Sequence, residues 1–500
     1  MTSGRDFTDQ VRTALELAVP SPHLFIGGAT RPASNGATFA VLNPADGAVV
    51  AEVPDATDDD MRAAIAAASA ALPVWRDLPA VQRARVLRRA ADLLRERVDS
   101  VAVILTAEQG KPLSESRGEV EYAAGFFEWF AGEAERVYGQ VVPAQRPGHR
   151  VLVFKQPVGV TAAITPWNFP AAMLARKLGP ALAAGCTSVC KPASATPLTA
   201  MAVCQVLIDA GVPAGAVNLF TTRRSSVAAD ILLSDSRIRK LSFTGSTDVG
   251  QELVRRSAKV LTRLSLELGG HAPYLIFADA DLDIAVAGLM ASKFRNAGQT
   301  CISVNRVYVQ REIADEVVAR LGAAMSKLVV GDGMVPGTTI GPLIDAGAVA
   351  KVSEHVSDAL RQGAKLGFGG KARPDLGPTY YEPTIVTGVQ PEMLVSSEET
   401  FGPLVAVSTF DTEEQAIELA NNSPYGLAAY FCTSDYARMM RLAERLEYGV
   451  IGANDGMPST PAAPFGGMKM SGYGREGGSF GIEEYLDVKY LSIGGIGPSA

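Results

Sequence analysis

Residues 158–210 read VGVTAAITPWNFPAAMLARKLGPALAAGCTSVCKPASATPLTAMAVCQVLIDA. An apolar run, Val158–Ile164, has strand length and is followed by a longer apolar pattern, Ala171–Ala184, of helical length. Thr187–Lys191 is a second strand, and Pro197–Ala210 is a second helix opened by Pro, a favoured first-turn residue. Downstream, Val217–Phe220, Ile238–Phe243 and Val260–Leu266 continue the strands. Strands alternating with helices predict βαβ units and a parallel, doubly wound α/β sheet. Such sheets bind ligands outside the carboxyl ends of their strands. Residues 270–460 repeat the alternation less cleanly and read as a second α/β domain. Upstream, Asp58–Tyr138 is helical, with Val86, Leu87, Ala90, Leu93, Leu94 and Val98 on one face. Residues 1–20 read as a loosely held leader. Two alternating segments, Arg150–Gln156 and Val488–Ile493, each read as an edge strand or an arm reaching another subunit.

Composition narrows the function. The 500-residue chain carries a net charge of −7, which argues against a nucleic-acid binder. The run Arg83, Arg85, Arg88, Arg89, Arg95 and Arg97 is therefore read as a solvated helix face. Five scattered cysteines suit a reducing cytoplasm better than a disulfide scaffold. The polar start, Met1–Gln10, shows no signal peptide. The longest uncharged stretch, Gln156–Ala175, is broken by Pro157, Pro166, Pro170 and Asn168, so no membrane span is expected. No HExxH or CxxC is present, so no metal site is expected. Gly472–Gly477 matches GxGxxG without the strand before it that a dinucleotide fold requires. Gly477–Gly481 matches GxSxG, but no His follows for a hydrolase triad. His271 is read as packing or a surface group.

Four places are suited to chemistry. Phe243–Gly250 follows a strand and opens a helix, and free amides, Ser246 and close-approach glycines suit a diphosphate or a plain capped turn. Lys191 ends a strand, either in a ligand crevice or at the surface. Cys301 follows Lys293 and Arg295, and cations favour the thiolate, the stronger nucleophile. Glu267 ends an apolar strand, where poor solvation raises a carboxyl toward general-base range.

These motifs resemble the aldehyde dehydrogenase superfamily over essentially the whole chain. Pro166-Trp-Asn-Phe-Pro170, Phe243-Thr-Gly-Ser-Thr247, Leu266-Glu-Leu-Gly-Gly270, Gly298-Gln-Thr-Cys301 and Glu399-Thr-Phe-Gly-Pro403 stand in family order. Lys293–Cys301, Arg176 and the ending Pro464–Glu476 look like its succinate-semialdehyde dehydrogenase branch. The resemblance implies a Rossmann-like cofactor domain (1–137 and 158–268), a catalytic domain (269–465) and a small β oligomerisation arm (138–157 and 480–500). It implies Cys301 as nucleophile, Asn168 with the Cys301 N–H as oxyanion donors, and Glu267 as the base that hydrolyses the thioester. Cofactor contacts carried over are Thr165, Pro166, Trp167, Lys191, Ser194, Arg224, Gly245, Ser246, Gly250, Leu268, Glu399 and Phe401. Ser194 stands where strictly NAD-dependent members usually carry Glu, which favours NADP with NAD tolerated. Arg223 and Arg224 either join a 2′-phosphate, stack on adenine, or face water. Arg176, Arg295 and Ser459 match a substrate-carboxylate clamp. The expected substrate is succinate semialdehyde or glutarate semialdehyde, and the expected assembly a homodimer or homotetramer. Ser303 replaces the second Cys of members with a disulfide switch. A CoA-acylating enzyme and a non-catalytic structural protein on the same fold are the alternatives. Glu267 argues against the first, and the intact Cys301, Glu267 and Asn168 set against the second.

Overall fold

The computed structural model describes residues 4–19 and 22–496, with side chains from Phe7 onward. Eight strands form one sheet in the order Ala29–Arg31, Leu24–Ile26, Val217–Leu219, Thr187–Lys191, Val160–Ile164, Ile238–Thr244, Arg263–Glu267, Gly472–Tyr473. The five strands from Val217–Leu219 to Arg263–Glu267 run parallel. From Val160–Ile164 the chain steps outward one way to Thr187–Lys191 and Val217–Leu219. It then returns to the other side with Ile238–Thr244 and Arg263–Glu267. The direction reverses between Val160–Ile164 and Ile238–Thr244, so the loops leaving those two strands diverge and open a crevice. Thr165–Phe169 and Gly245–Ser246 are those loops.

Helix Pro170–Ala184 packs behind this sheet, and every one of its residues is buried. It is apolar nearly all round, as a fully buried helix must be. Arg176 and Lys177 are the exceptions, and their burial demands partners. Helices Ala80–Glu96, Val98–Gln109 and Leu113–Ala134 form an outer layer on it. Leu87, Ala90, Leu93 and Leu94 enter that core, whereas Val86 and Val98 are only partly buried.

A seven-stranded sheet follows, in the order Lys365–Phe368, Thr384–Thr387, Leu404–Phe410, Val304–Gln310, Ala272–Ile276, Ala428–Cys432, Val450–Ala453. Only its first pair is antiparallel. It has helices on both faces and its own apolar core. The fold is thus two doubly wound α/β units. A separate antiparallel sheet joins Leu486–Ile493, Arg150–Pro157 and Gln140–Val142. Among the described residues no helix is long and apolar enough to cross a membrane.

Two sequence expectations are corrected. The segment read as a leader is helix Gly4–Ala18, which docks Ala14, Ala18 and Val19 in the first core. Arg83 is not on a solvated face. It is buried, donating its Nε to Ala183 O at 3.2 Å. It also donates Nη1 to Leu78 O and Arg76 O, so it bridges the carboxyl ends of helices Pro170–Ala184 and Asp58–Arg76, where a helix has unpaired acceptors.

Candidate active site

The two crevice loops and the loop before Val304–Gln310 enclose a cavity of about 550 Å³. Cys301 lines it, partly exposed. The chain reaches Cys301 through a tight turn in which Asn296, Ala297 and Gly298 all take positive φ (51°, 54° and 79°). A Cβ on Gly298 would stand 2.3 Å from Gly402 O, so only glycine fits that approach. Of the two cations near Cys301 in sequence, Arg295 favours the thiolate as the sequence suggested, but Lys293 does not. Lys293 is turned away onto Asn305 Oδ1 (3.1 Å). Burial pushes the Cys301 thiol up to about 12, and the opposing pull of Arg176 and Arg295 does not overcome it. The resting group is a thiol, not the thiolate the flanking cations implied.

Glu267 ends its strand fully inside the protein, 3% exposed, and its Oε2 has no hydrogen-bond partner. Burial raises its carboxyl well above the usual range, and Glu476 raises it further against Arg176 and Lys177. Sequence reasoning gave neither Glu476 nor Lys177 a role. Glu476 pairs with Lys177 Nζ (2.5 Å) and Arg176 Nε (3.1 Å), and accepts from Ser242 Oγ (3.1 Å). Burial raises Glu476, but Lys177 and Arg176 outweigh it and hold that carboxyl ionised. Lys177 also donates to Thr244 Oγ1 at 2.7 Å.

Asn168 lines the cavity and its Nδ2 donates to Gln299 O at 3.0 Å, beside the cysteine loop. Arg176, Arg295 and Ser459 also line the cavity. Arg176 lies over the Phe465 ring at 3.9 Å, and its buried Nη2 has no hydrogen-bond partner. Arg295 stands 5.1 Å from the Phe169 ring. Ser459 Oγ meets Tyr122 OH at 2.6 Å, and Tyr122, which sequence reasoning missed, lines the same cavity. A lone tyrosine in a long helix carries no sequence signal for that position.

Pro166, Trp167, Gly245, Ser246, Leu268, Glu399 and Phe401 line the other side. Ser246 caps helix Thr247–Ser257 by accepting from Val249 N. A Cβ on Gly250 would meet Leu268 at 2.5 Å, which keeps that helix close. Phe401, at φ 55°, sets its ring edge-on to Trp167 at 5.6 Å. Glu399 accepts from Gly270 N (3.0 Å), and burial lifts its carboxyl to about 7. Glu267, Thr165, Lys191, Ser194, Arg224 and Gly250 are not among the residues lining this cavity. Thr165 Oγ1 is buried without a partner, and buried Lys191 Nζ meets only Pro192 O at 3.3 Å. Ser194 is exposed in the turn after Thr187–Lys191. Arg224 is tied to Asp58 Oδ1 (2.8 Å) and Ala56 O (2.9 Å), while Arg223 is exposed. His271 is packed inside, its Nε2 on Ser396 O at 3.0 Å.

Residues 31–491 match the model of the aldehyde dehydrogenase family. The chain is 52% identical to succinate-semialdehyde dehydrogenase [NADP(+)] of Escherichia coli, covering 94% of this chain and 97% of that protein. It is 52% identical, at the same coverage, to glutarate-semialdehyde dehydrogenase of Pseudomonas aeruginosa. The crystal structure of an NADP-dependent enzyme of E. coli superposes with a TM-score of 0.93 at 52% identity, covering 95% of this chain and 98% of that one.

Proposed function

We propose that this chain, which belongs to the aldehyde dehydrogenase family, oxidises succinate semialdehyde or glutarate semialdehyde to the diacid, with NADP favoured over NAD. The observation that carries the substrate class is Arg176. It is a buried cation in the cavity of the cysteine, with one guanidinium nitrogen unspent. A buried donor without a partner calls for an acceptor from outside the chain. A carboxylate at the far end of the substrate supplies one, and Arg295 and Ser459 converge on it as further donors. This favours a semialdehyde acid over a neutral aldehyde.

Cys301, partly exposed, gives its proton to water and attacks the aldehyde carbon as the thiolate, since a thiol near 12 is a weak nucleophile. Charge then grows on the aldehyde oxygen. Asn168 Nδ2 and the Cys301 N–H hold it, one such donor typically being worth about 3–4 kcal/mol of barrier. Oxidation leaves a thioester on Cys301. Glu267, lifted by burial, takes a proton from the water that hydrolyses it. A CoA-acylating enzyme would dispense with this base, and its presence favours hydrolysis.

The crevice suits a dinucleotide, since Thr165 Oγ1 and Lys191 Nζ are buried polar groups with unspent capacity. When bound, the nicotinamide is the hydride acceptor. Ser246, at the helix start with Gly245 and Gly250, would take the diphosphate. Glu399 would take the nicotinamide ribose, with Phe401, Trp167, Pro166 and Leu268 around it. Lys191, Ser194 and Arg224 would hold the adenosine end. Small, neutral Ser194 does not repel a 2′-phosphate. The Arg224–Asp58 pair is half exposed and exchangeable for one. The enzyme is proposed to work in the cytoplasm as a homodimer or homotetramer built through the three-stranded sheet.

The test is Arg176→Ala, read as the ratio of kcat/KM for succinate semialdehyde to that for butanal. Losing one partner of a buried charged contact typically costs about 2–5 kcal/mol, or roughly 30- to several-thousand-fold. Butanal lacks the carboxylate and keeps most of its rate. A ratio that falls by less than about tenfold overturns the clamp and the substrate class with it.

A further inference from the structure

A second buried charge pair, Lys111 and Glu119, underlies the cavity, whose wall Glu119 reaches while Lys111 does not. Lys111, in the turn between helices Val98–Gln109 and Leu113–Ala134, is 1% exposed. Its Nζ donates to Glu119 Oε2 at 2.6 Å and to the main-chain oxygen of Asn168 at 2.7 Å, and stands 3.8 Å over the Phe169 ring. Glu119 Oε1 accepts from Ala171 N (2.9 Å) and Ala172 N (3.3 Å), free amides of the first turn of helix Pro170–Ala184. The pair therefore grips the Asn168-Phe169-Pro170 corner on both sides. One partner holds the carbonyl entering it, and the other holds the amides leaving it.

The grip extends to the cysteine loop. Gln109 accepts from Lys111 N (3.0 Å) and donates to Asn296 Oδ1 (2.9 Å). Asn296 Nδ2 donates to the oxygens of Asn168 (3.0 Å) and Gln299 (3.3 Å). Asn168 Nδ2 donates to that same Gln299 oxygen. The outer helical layer thus braces a crevice loop of the first sheet against the loop that carries Cys301.

Stability alone does not account for the ions. Taking two charges out of water is costly, and an apolar pair of similar volume often serves a fold as well. Burial drives the Lys111 ammonium below its ordinary range, with Glu119 opposing. What an apolar pair cannot do is donate to a carbonyl and a carboxylate at once and so fix the corner between them. We propose that Lys111, with Glu119, is a positioning residue for the oxidation, aiming the Asn168 amide at the oxyanion that forms on Cys301. The inference rests on Asn168 as oxyanion donor, and the two are tested separately.

The experiment is a double-mutant cycle on the full chain with NADP. Single-turnover NADPH formation is measured for wild type, Lys111→Met, Asn168→Ala and the double variant, with succinate semialdehyde and with butanal. Asn168→Ala tests the donor reading and is expected to slow the step by roughly 100-fold or more. Lys111→Met is expected to slow it at least tenfold for both aldehydes, with the KM for NADP within twofold of wild type. If Lys111 acts through Asn168, the double variant stays within threefold of Asn168→Ala alone. An equal further loss in the Asn168→Ala background, or a loss under threefold in Lys111→Met alone, overturns the proposal while leaving the donor reading intact. A wild-type rate for Asn168→Ala overturns both. Should Lys111→Met fail to fold, Glu119→Gln replaces it in the same cycle with the same thresholds, since the amide oxygen still meets Ala171 N while the charge pair is gone.

Discussion

Glu267 is governed by four charged neighbours, Glu476 on one side and Arg176, Lys177 and Arg475 on the other, and removing members of the two sets moves it in opposite directions. Lys177 and Arg176 favour its ionised form, and Glu476 disfavours it. Lys177→Met is therefore expected to shift the ascending limb of the steady-state pH–rate profile to higher pH, and Glu476→Gln to lower pH. Activity rises with pH in all three proteins because the carboxylate is the working form. Shifts of the same sign would remove Glu267 from that limb. Glu267→Gln itself is expected to give a burst of reduced cofactor, a slow steady state and an acyl adduct on Cys301 visible by mass spectrometry. Normal turnover without burst or adduct would make Glu267 structural. The sequence showed Glu267 and Cys301 because each ends or follows a readable apolar segment. It did not show the Lys177–Glu476 pair, whose members lie 299 residues apart and meet only through the fold. It also counted Lys293 among the cations acting on the thiol, because Lys293 is near Cys301 along the chain though turned elsewhere in space, whereas Arg295 acts as expected but is outweighed by burial.

The strands of 158–268 and the helices Pro170–Ala184 and Pro197–Asp209 were legible to within a few residues, because short apolar runs between Gly, Pro and Thr leave little freedom of assignment, whereas helix Ser225–Ser234 was not. Helix Gly4–Ala18 reads in sequence only as a leader, although Phe7, Val11, Ala14, Leu15 and Ala18 recur at helical spacing and Ala14, Leu15 and Ala18 pack on the first core. The cysteine turn belongs to this scale too. Gly298 reads in sequence as one glycine of a motif, whereas in the fold it has φ 79° and lies against the Gly402 carbonyl. Gly298→Ala requires that a Cβ displace backbone from a left-handed turn, a strain of order 1–3 kcal/mol. The melting temperature is expected to fall by several degrees. The kcat is expected to fall by roughly 100-fold, since about 1 Å of misplacement at a reacting atom costs that much. Retention of both would show that the Gly402 segment yields freely.

At the scale of the whole molecule, the three-stranded sheet is the element least explained by a single chain. Leu486–Ile493 lies at its edge, and residues paired across the strands share a face. Leu491, Leu152 and Val141 form one such row, with Phe154 on the same face. Tyr490 and Val488 lie on the other. Val141 is 74% exposed, Tyr490 71% and Val488 69%. An edge strand with exposed apolar groups on both faces invites pairing, and Asp487 and Lys489 are the charges it carries against that. Cover by a second copy accounts for this pattern. The 500-residue chain is then expected to sediment at two or four times its 52.5 kDa. Val488→Asp and Leu491→Asp place a carboxylate on each face and test which one is covered. The face whose variant lowers the mass is the interface, and the melting temperature of that variant should become dependent on protein concentration. Monomeric wild-type protein at micromolar concentration, or two variants that both keep the wild-type mass, would rule out this sheet as the joint between subunits.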